Sequence, residues 1–389
     1  MQFGLGLTGL VVNLWLAFAN SDSWNVDFNQ YYSAGKLVGT GRLYDWDSIR
    51  PLELERNAKA VPFGRIPAFA LAFKPFSAMP WPVARALWLC VGIGALAGFV
   101  YLWPVSSRAW TAVAVCWSLP ATICLGLGQD SILFLFFVAL GLRLLMQGHD
   151  FWAGVAFSAC IAKPHLALLL PVFVIAQGKW HALLGGAAGG TVCALLSFAV
   201  EGKDWPQRLL TLARRPDFDP AADRMPNLRG LLSFLDGGIA AEVALGLVVV
   251  AAVWFICRSQ PLPVGGTVVL AGGLLLSHHA YVYDALLLLP ALLLPFHAPW
   301  PDPWREWLRK WAVFIATPTA YLCVLTNVSI MFVILGHIAI SGYALVLIAV
   351  TVWRHPSDGK FMNIWSGRLE SDPQPQAYKA EAPLNLLEC

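Results

Sequence analysis

Asp27 opens the first polar stretch of the chain, Val26-Asp27-Phe28-Asn29-Gln30-Tyr31-Tyr32, directly after an apolar N-terminal segment. Further on, long apolar runs are interrupted by Gly128-Gln129-Asp130, Lys163-Pro164-His165, Asn227-Leu228-Arg229 and the stretch from Ser277-His278-His279 to Asp284. A carboxylate in such a set can take a proton from a hydroxyl. Lysine, arginine and histidine can hold an anion and offset charge that develops on it. Each residue also has a plainer reading. Asp27 with Gln30 three positions on matches a capping box, so its carboxylate could serve simply to cap a helix running toward Lys36. Gln129 and Asp284 could be helix-end and packing residues, because helix ends must be polar somewhere. Lys163 is harder to dismiss, since a lysine between two short apolar runs is costly unless paired or facing water. His278 and His279 make a poor metal pair: adjacent helical positions point ~100° apart, and no cysteine or acid cluster with ligand spacing lies near them.

These residues must be positioned by a membrane-embedded helical scaffold. Of the 389 residues 58% are hydrophobic and only 13% charged, with a mean hydropathy of +0.63, far from the balance of a soluble protein of this length. The net charge of +3 gives no reason to invoke nucleic acid. Seven of the 8 cysteines fall in apolar runs, with no disulfide framework and no CxxC spacing. The N-terminal segment has neither a basic leader nor a small-residue cleavage site, and reads as an uncleaved first span.

A helix needs ~20 apolar residues to cross the hydrocarbon, fewer where it ends at a cavity inside the protein. On that basis the chain reads as an all-α polytopic membrane protein of about 12 segments. Residues 21–82 form an outer loop with juxtamembrane helices over 27–38 and 48–58, and an interfacial or re-entrant piece over 67–80. Residues 201–237 form a second outer loop with a dipping helix over 231–235. Spans are expected over 83–103, 109–127, 131–147, 183–200, 239–257, 264–276, 282–295, 311–326 and 329–353. Residues 151–162 and 166–176 are each too short to cross alone and should meet at Lys163 within the membrane. The tail, 354–389, is polar and expected to be disordered on the cytoplasmic side. Arg108, Arg143, Lys179, Arg258, Arg305, Arg309, Lys310 and Arg354 then share one side, which the positive-inside rule makes cytoplasmic, with both termini inside. The polar clusters gather at the outward ends.

Taken in order, Asp27-Phe28-x-x-Tyr31-Tyr32 with Gly41-x-Leu43-Tyr44, Arg65-Ile66-Pro67, Gly128-Gln129-Asp130, Lys163-Pro164, Asn227-x-Arg229-Gly230-Leu231 and Ser277-x-His279 to Asp284 resemble the GT-C integral-membrane glycosyltransferases. Among these the chain is most similar to the polyprenol-phosphate-mannose-dependent mannosyltransferases of glycosyltransferase family 87. The resemblance covers roughly residues 1–350. It implies a GT-C-like transmembrane domain over 1–353 in the plasma (inner) membrane. It also implies inverting transfer of a hexose, mannose being favoured, from a polyprenyl-phosphate sugar to a glycolipid or glycan acceptor on the outer face. Neither a metal nor a further cofactor is implied. Asp27 matches the family's general base. Lys163, His279, Arg229 and Arg65 are then expected around the donor phosphate, and Tyr31, Gln129, Asn227, His278 and Asp284 around the substrates. A transporter or flippase is the competing reading, because broken helices and intramembrane charges also mark carriers; a non-catalytic assembly partner is a third.

Overall fold

The computed structural model describes residues 2–18, 25–56, 59–104, 108–215, 222, 225, 227–233 and 238–293. These belong to one compact unit, Met1–Ala344. The spans expected over 311–326 and 329–353, and the tail, lie outside the described residues. Within the described residues the chain is helical, with no strand.

Three described helices are long and apolar enough to cross a membrane, namely Trp81–Leu102, Trp180–Glu201 and Ile239–Ser259. Arg108–Trp117 and Leu119–Leu127 make a fourth if counted together, bent by 65°. The bend has a local cause: Pro120 removes a backbone donor, and Ser118 restarts the helix by accepting from Ala121 N. The other apolar helices are shorter, as in Ser131–Met146 and Leu262–Leu276. The expectation of about 12 crossings is therefore not reached among the described residues. Where the sequence predicts one span over 282–295, the chain instead makes a 3-10 turn, Val282–Leu288, followed by Leu289–Leu293.

The broken unit forms as expected. Asp150–Ser158 passes into the 3-10 turn Ala159–Ala162, and Lys163 separates it from Pro164–Ala167 and Leu169–Ala176. Its first helix packs extensively along Trp180–Glu201. Glycine permits this closeness: a Cβ on Gly154 would lie 1.8 Å from Ala182 O, and one on Gly185 would lie 1.9 Å from Phe151 O.

The segment after the N-terminal helix folds into a lobe of four short helices, Val26–Leu37, Trp46–Leu54, Pro67–Ala72 and Lys74–Ser77. Its core is aromatic. Tyr31 packs against Phe69 and Phe73 with ring centroids 5.2 and 5.0 Å away, and Phe73 packs on Trp88 of the first long span at 4.7 Å. Burying rings of this size anchors the lobe to the membrane bundle. The segment after Trp180–Glu201 contributes a helix absent from the sequence reading, Trp205–Ala213, whose Leu209 and Leu212 close the same core. Its signal was Pro206 at the helix start with leucines three apart.

Trp180–Glu201 separates the two ends of the molecule. Its 22 residues span ~33 Å. At one end Lys179 pairs with Asp150 at 3.2 Å. At the other Glu201 accepts from Gly39 N of the lobe at 2.8 Å. Leu184, Val192 and Leu195 along it, like Val243, Leu247 and Phe255 on Ile239–Ser259, are exposed, as lipid-facing side chains should be.

Candidate functional site

Asp27 is positioned by the start of its helix. Asn25, at the left-handed φ of 65°, occupies the N-cap position and uses no side-chain cap. Its N–H donates to Gly126 O at 3.1 Å, and Arg85 bonds its side chain. The helix begins at Val26, so Asp27 stands inside the first turn and the capping-box reading is corrected. Gln30 does not fold back either; its amide donates to Pro62 O and, at 3.3 Å, to Val61 O, tying the lobe helix to the segment that carries Arg65.

Opposite stands the loop after Leu119–Leu127. Gly128 takes φ 78°, and a Cβ there would lie 2.6 Å from Phe28 Cβ, so both backbone and space require glycine. Trp88 Nε1 donates to Gly128 O at 2.8 Å and fixes the turn. Gln129 and Asp130 emerge from it beside the lobe helix. Gln129 Oε1 takes the Tyr31 hydroxyl at 3.4 Å and Asp130 N at 3.3 Å, which leaves its NH₂ to hydrogen-bond Asp27.

Asp130 is a meeting point the sequence reading left out of its substrate-contacting set. Arg65 reaches it through Nε at 3.2 Å and Nη2 at 3.3 Å, Tyr31 donates to it at 3.1 Å, and Lys163 Nζ lies 3.3 Å away. Lys163 is only 2% exposed. Its ammonium also donates to Asp284 Oδ1 at 2.7 Å and to Ser131 Oγ at 2.6 Å. Ser131 in turn donates to Asp284 Oδ1 at 2.6 Å. Two cations and two carboxylates thus form a neutral, hydrogen-bonded group joining four distant segments, which is how buried charge is tolerated. Only the adjacency of Asp130 to Gln129 hinted at this in the sequence.

Above this group opens a cavity of about 720 Å³. It brings together Asp27, Gln129, Arg65, Lys163, Arg229, His278, His279 and Asp284 of the expected site, with Lys59, His165, Arg214, Arg215, Tyr281 and Tyr283. Two expected residues do not line it. Tyr31 is fully buried beneath, its hydroxyl on Asp130. Asn227 is buried too; its Oδ1 accepts Gly230 N at 2.9 Å, capping Leu228–Ser233, while its amide holds Ser277 O. Asn227 therefore docks Leu228–Ser233 onto the Ser277–Asp284 turn. Arg229, the second residue of that helix, contacts His278 on the cavity rim. His279 packs edge-on to Tyr281 at 4.9 Å and lies 6.1 Å from His165.

Asp27 lies in the lobe, in the first turn of Val26–Leu37, and is half-buried. Burial, the largest influence, pushes its carboxyl up to about 6; Lys163, the Gln129 hydrogen bond and Arg65 pull the other way. A carboxylate tuned toward neutrality is a better proton acceptor than an ordinary one. The arrangement can hold an anion on one wall while a hydroxyl gives up its proton on the other.

A family model described as glycosyltransferase family 87 matches residues 67–290. That stretch contains Gln129, Lys163, Arg229, His279 and Asp284 and begins just after Arg65. No curated protein and no solved structure matches the chain.

Proposed function

The chain belongs to glycosyltransferase family 87, whose model covers more than half of its 389 residues, and from that premise we propose the reaction of this membrane glycosyltransferase. A polyprenyl-phosphate hexose, mannose being the favoured sugar, enters from the bilayer with its phosphate against Arg65, Arg229 and His279. A hydroxyl of a glycolipid or glycan acceptor approaches Asp27. The acceptor oxygen attacks the anomeric carbon, Asp27 takes the hydroxyl proton, the bond from that carbon to the phosphate oxygen breaks, and polyprenyl phosphate leaves. A single displacement inverts the anomeric centre. Lys163 acts on the phosphate through Asp130 and Arg65, because Ser131, Asp130 and Asp284 surround its ammonium. The active site faces outward from the plasma membrane, with basic loops and both termini in the cytoplasm.

The observation that carries this reading is the placement of Asp27 in the same cavity as Arg65, Arg229 and His279, residues from four separate segments. A base facing two guanidinium cations around one space, with the His279 imidazole, which burial holds neutral with a pKa of about 4, as a further hydrogen-bond donor, suits glycosyl transfer from a phosphate. The test incubates purified protein with radiolabelled polyprenyl-phosphate hexose and extracted membrane lipids. Label should pass to an acceptor with the wild type, and Asp27→Asn should abolish transfer while still binding donor. Wild-type turnover in Asp27→Asn would remove Asp27 as the base. Label that crosses vesicles chemically unchanged would favour a flippase instead.

A further inference from the structure

Tyr283 stands in the middle of the site and has no part in the reaction as written. It lines the cavity. Its ring lies over the Lys163 ammonium, 5.0 Å from centroid to Nζ, and packs against Tyr281 with centroids 5.2 Å apart and planes 31° from parallel. The backbone on either side is pinned as well. Asp284 Oδ2 accepts Tyr281 N at 3.0 Å, and Tyr283 O accepts the Cys124 thiol at 3.5 Å. Among the described residues the Tyr283 hydroxyl has no hydrogen-bond partner, although the ring that bears it is held by a cation and a second ring. A core tyrosine would have its hydroxyl satisfied by protein, as Tyr31 does on Asp130 and Tyr32 does on Met79 O at 2.7 Å. A rigid phenol whose polar tip meets only the cavity is an element of substrate recognition prepared before the substrate arrives.

We infer that Tyr283 is a substrate-contacting residue whose phenolic O–H donates a hydrogen bond to an oxygen of the lipid-linked sugar phosphate, at the junction of sugar and phosphate between Asp27 and Arg65. The inference rests on the donor class proposed above. A phenol is protonated at neutral pH and donates one hydrogen bond, so either a phosphoryl oxygen or a sugar oxygen can be its acceptor, and the experiment separates the two.

The full-length protein in lipid nanodiscs is titrated with two probes, a short-chain prenyl-phosphate hexose and the same prenyl phosphate without sugar. Wild type is compared with Tyr283→Phe, which keeps the ring over Lys163. Thermal unfolding should be unchanged in the variant, and its Kd for the sugar-bearing probe should rise about threefold to tenfold if the acceptor is a sugar oxygen, the worth of one neutral hydrogen bond, and more than about tenfold if it is a charged phosphoryl oxygen. An equal loss for the bare phosphate assigns the contact to a phosphoryl oxygen; a loss confined to the sugar-bearing probe assigns it to the sugar. Unchanged affinity for both probes overturns the role of Tyr283. Failure of the wild type to bind either probe overturns the donor class itself, a different result. Tyr283→Leu, which also removes the ring from Lys163, should weaken binding further and lower the unfolding temperature.

Discussion

Lys163 and Asp284, 121 positions apart in the chain, meet at 2.7 Å between Nζ and Oδ1, and Asp130 holds the same ammonium at 3.3 Å. The broken helix, the Gly128–Ser131 turn and the Tyr281–Asp284 turn are therefore joined through one side chain. Lys163→Ala leaves two buried carboxylates short of a cation, a loss of ~3–5 kcal/mol when one member of a buried pair is removed. The expected outcome is a large drop in unfolding temperature together with lost activity. If the variant unfolds at the wild-type temperature and loses only donor affinity, Lys163 faces the phosphate directly.

The pH dependence of transfer should carry the signature of Asp27. Its carboxyl is raised to about 6 in the folded chain from an ordinary 3.8, and the base works only when deprotonated. The kcat/KM measured with a saturating acceptor should fall about tenfold per unit below that value and level off above it. Asp27→Glu, if it retains any turnover, should move the limb, whereas a limb unmoved in that variant belongs to another group. Because the folded value lies above the unfolded one, the same titration contributes stability that is fully present below pH 3.8 and is lost as pH rises through about 6.

Much of the scaffold was legible because its signals are local. Apolar run length marks Trp81–Leu102, Trp180–Glu201 and Ile239–Ser259, and Lys163-Pro164 marks the broken unit. The clustering of the polar residues was legible for a global reason, since alternating crossings are expected to bring Asp27, Gln129, Lys163, Arg229 and His279 to one side, and one cavity does contain them. What could not be read was which polar groups serve substrate and which serve one another. Tyr31 and Asn227 share motifs with cavity residues yet point into the protein, and Asp130 finds Arg65 and Lys163 only through the folded chain. Helix breaks were also obscured. The run 282–295 is apolar apart from Tyr283 and Asp284, and in its 3-10 form Asp284 bonds Tyr281 N and Lys163.

Glu53 gives a prediction about the lobe. It is fully buried beside Ile49 on Trp46–Leu54, and its Oε2 accepts Val61 N at 2.6 Å while Oε1 has no partner among the described residues. Burial pushes its carboxyl up to about 8 from 4.5. Glu53 therefore holds a proton in the folded chain that the unfolded chain releases, so its contribution is fully present below pH 4.5 and is lost as pH rises through about 8. The loss is about 1 kcal/mol per pH unit across that window. Glu53→Gln, with the same shape and no titration, should match the wild type in unfolding temperature near pH 4.5 and exceed it increasingly toward pH 8. Parallel curves for the two proteins would show that Glu53 does not titrate there.

Gly128→Ala tests whether the turn beneath Gln129 and Asp130 sets the position of Asp27. Alanine at φ 78° costs ~1–2 kcal/mol from the left-handed backbone alone. Its Cβ would also come within 2.6 Å of Phe28 Cβ and 3.2 Å of Phe28 N, backbone and side chain of the residue beside Asp27. The lobe helix must shift to make room, and a shift of a few tenths of an ångström is felt most where a proton is passed. A base displaced on the ångström scale can lose ~10²-fold in rate. The expected result is a kcat reduced far more than the modest fall in unfolding temperature suggests, with donor Kd nearly unchanged because Arg65, Arg229 and His279 stand on other segments. If kcat and donor Kd deteriorate in proportion, the turn supports the whole cavity and has no special hold on Asp27.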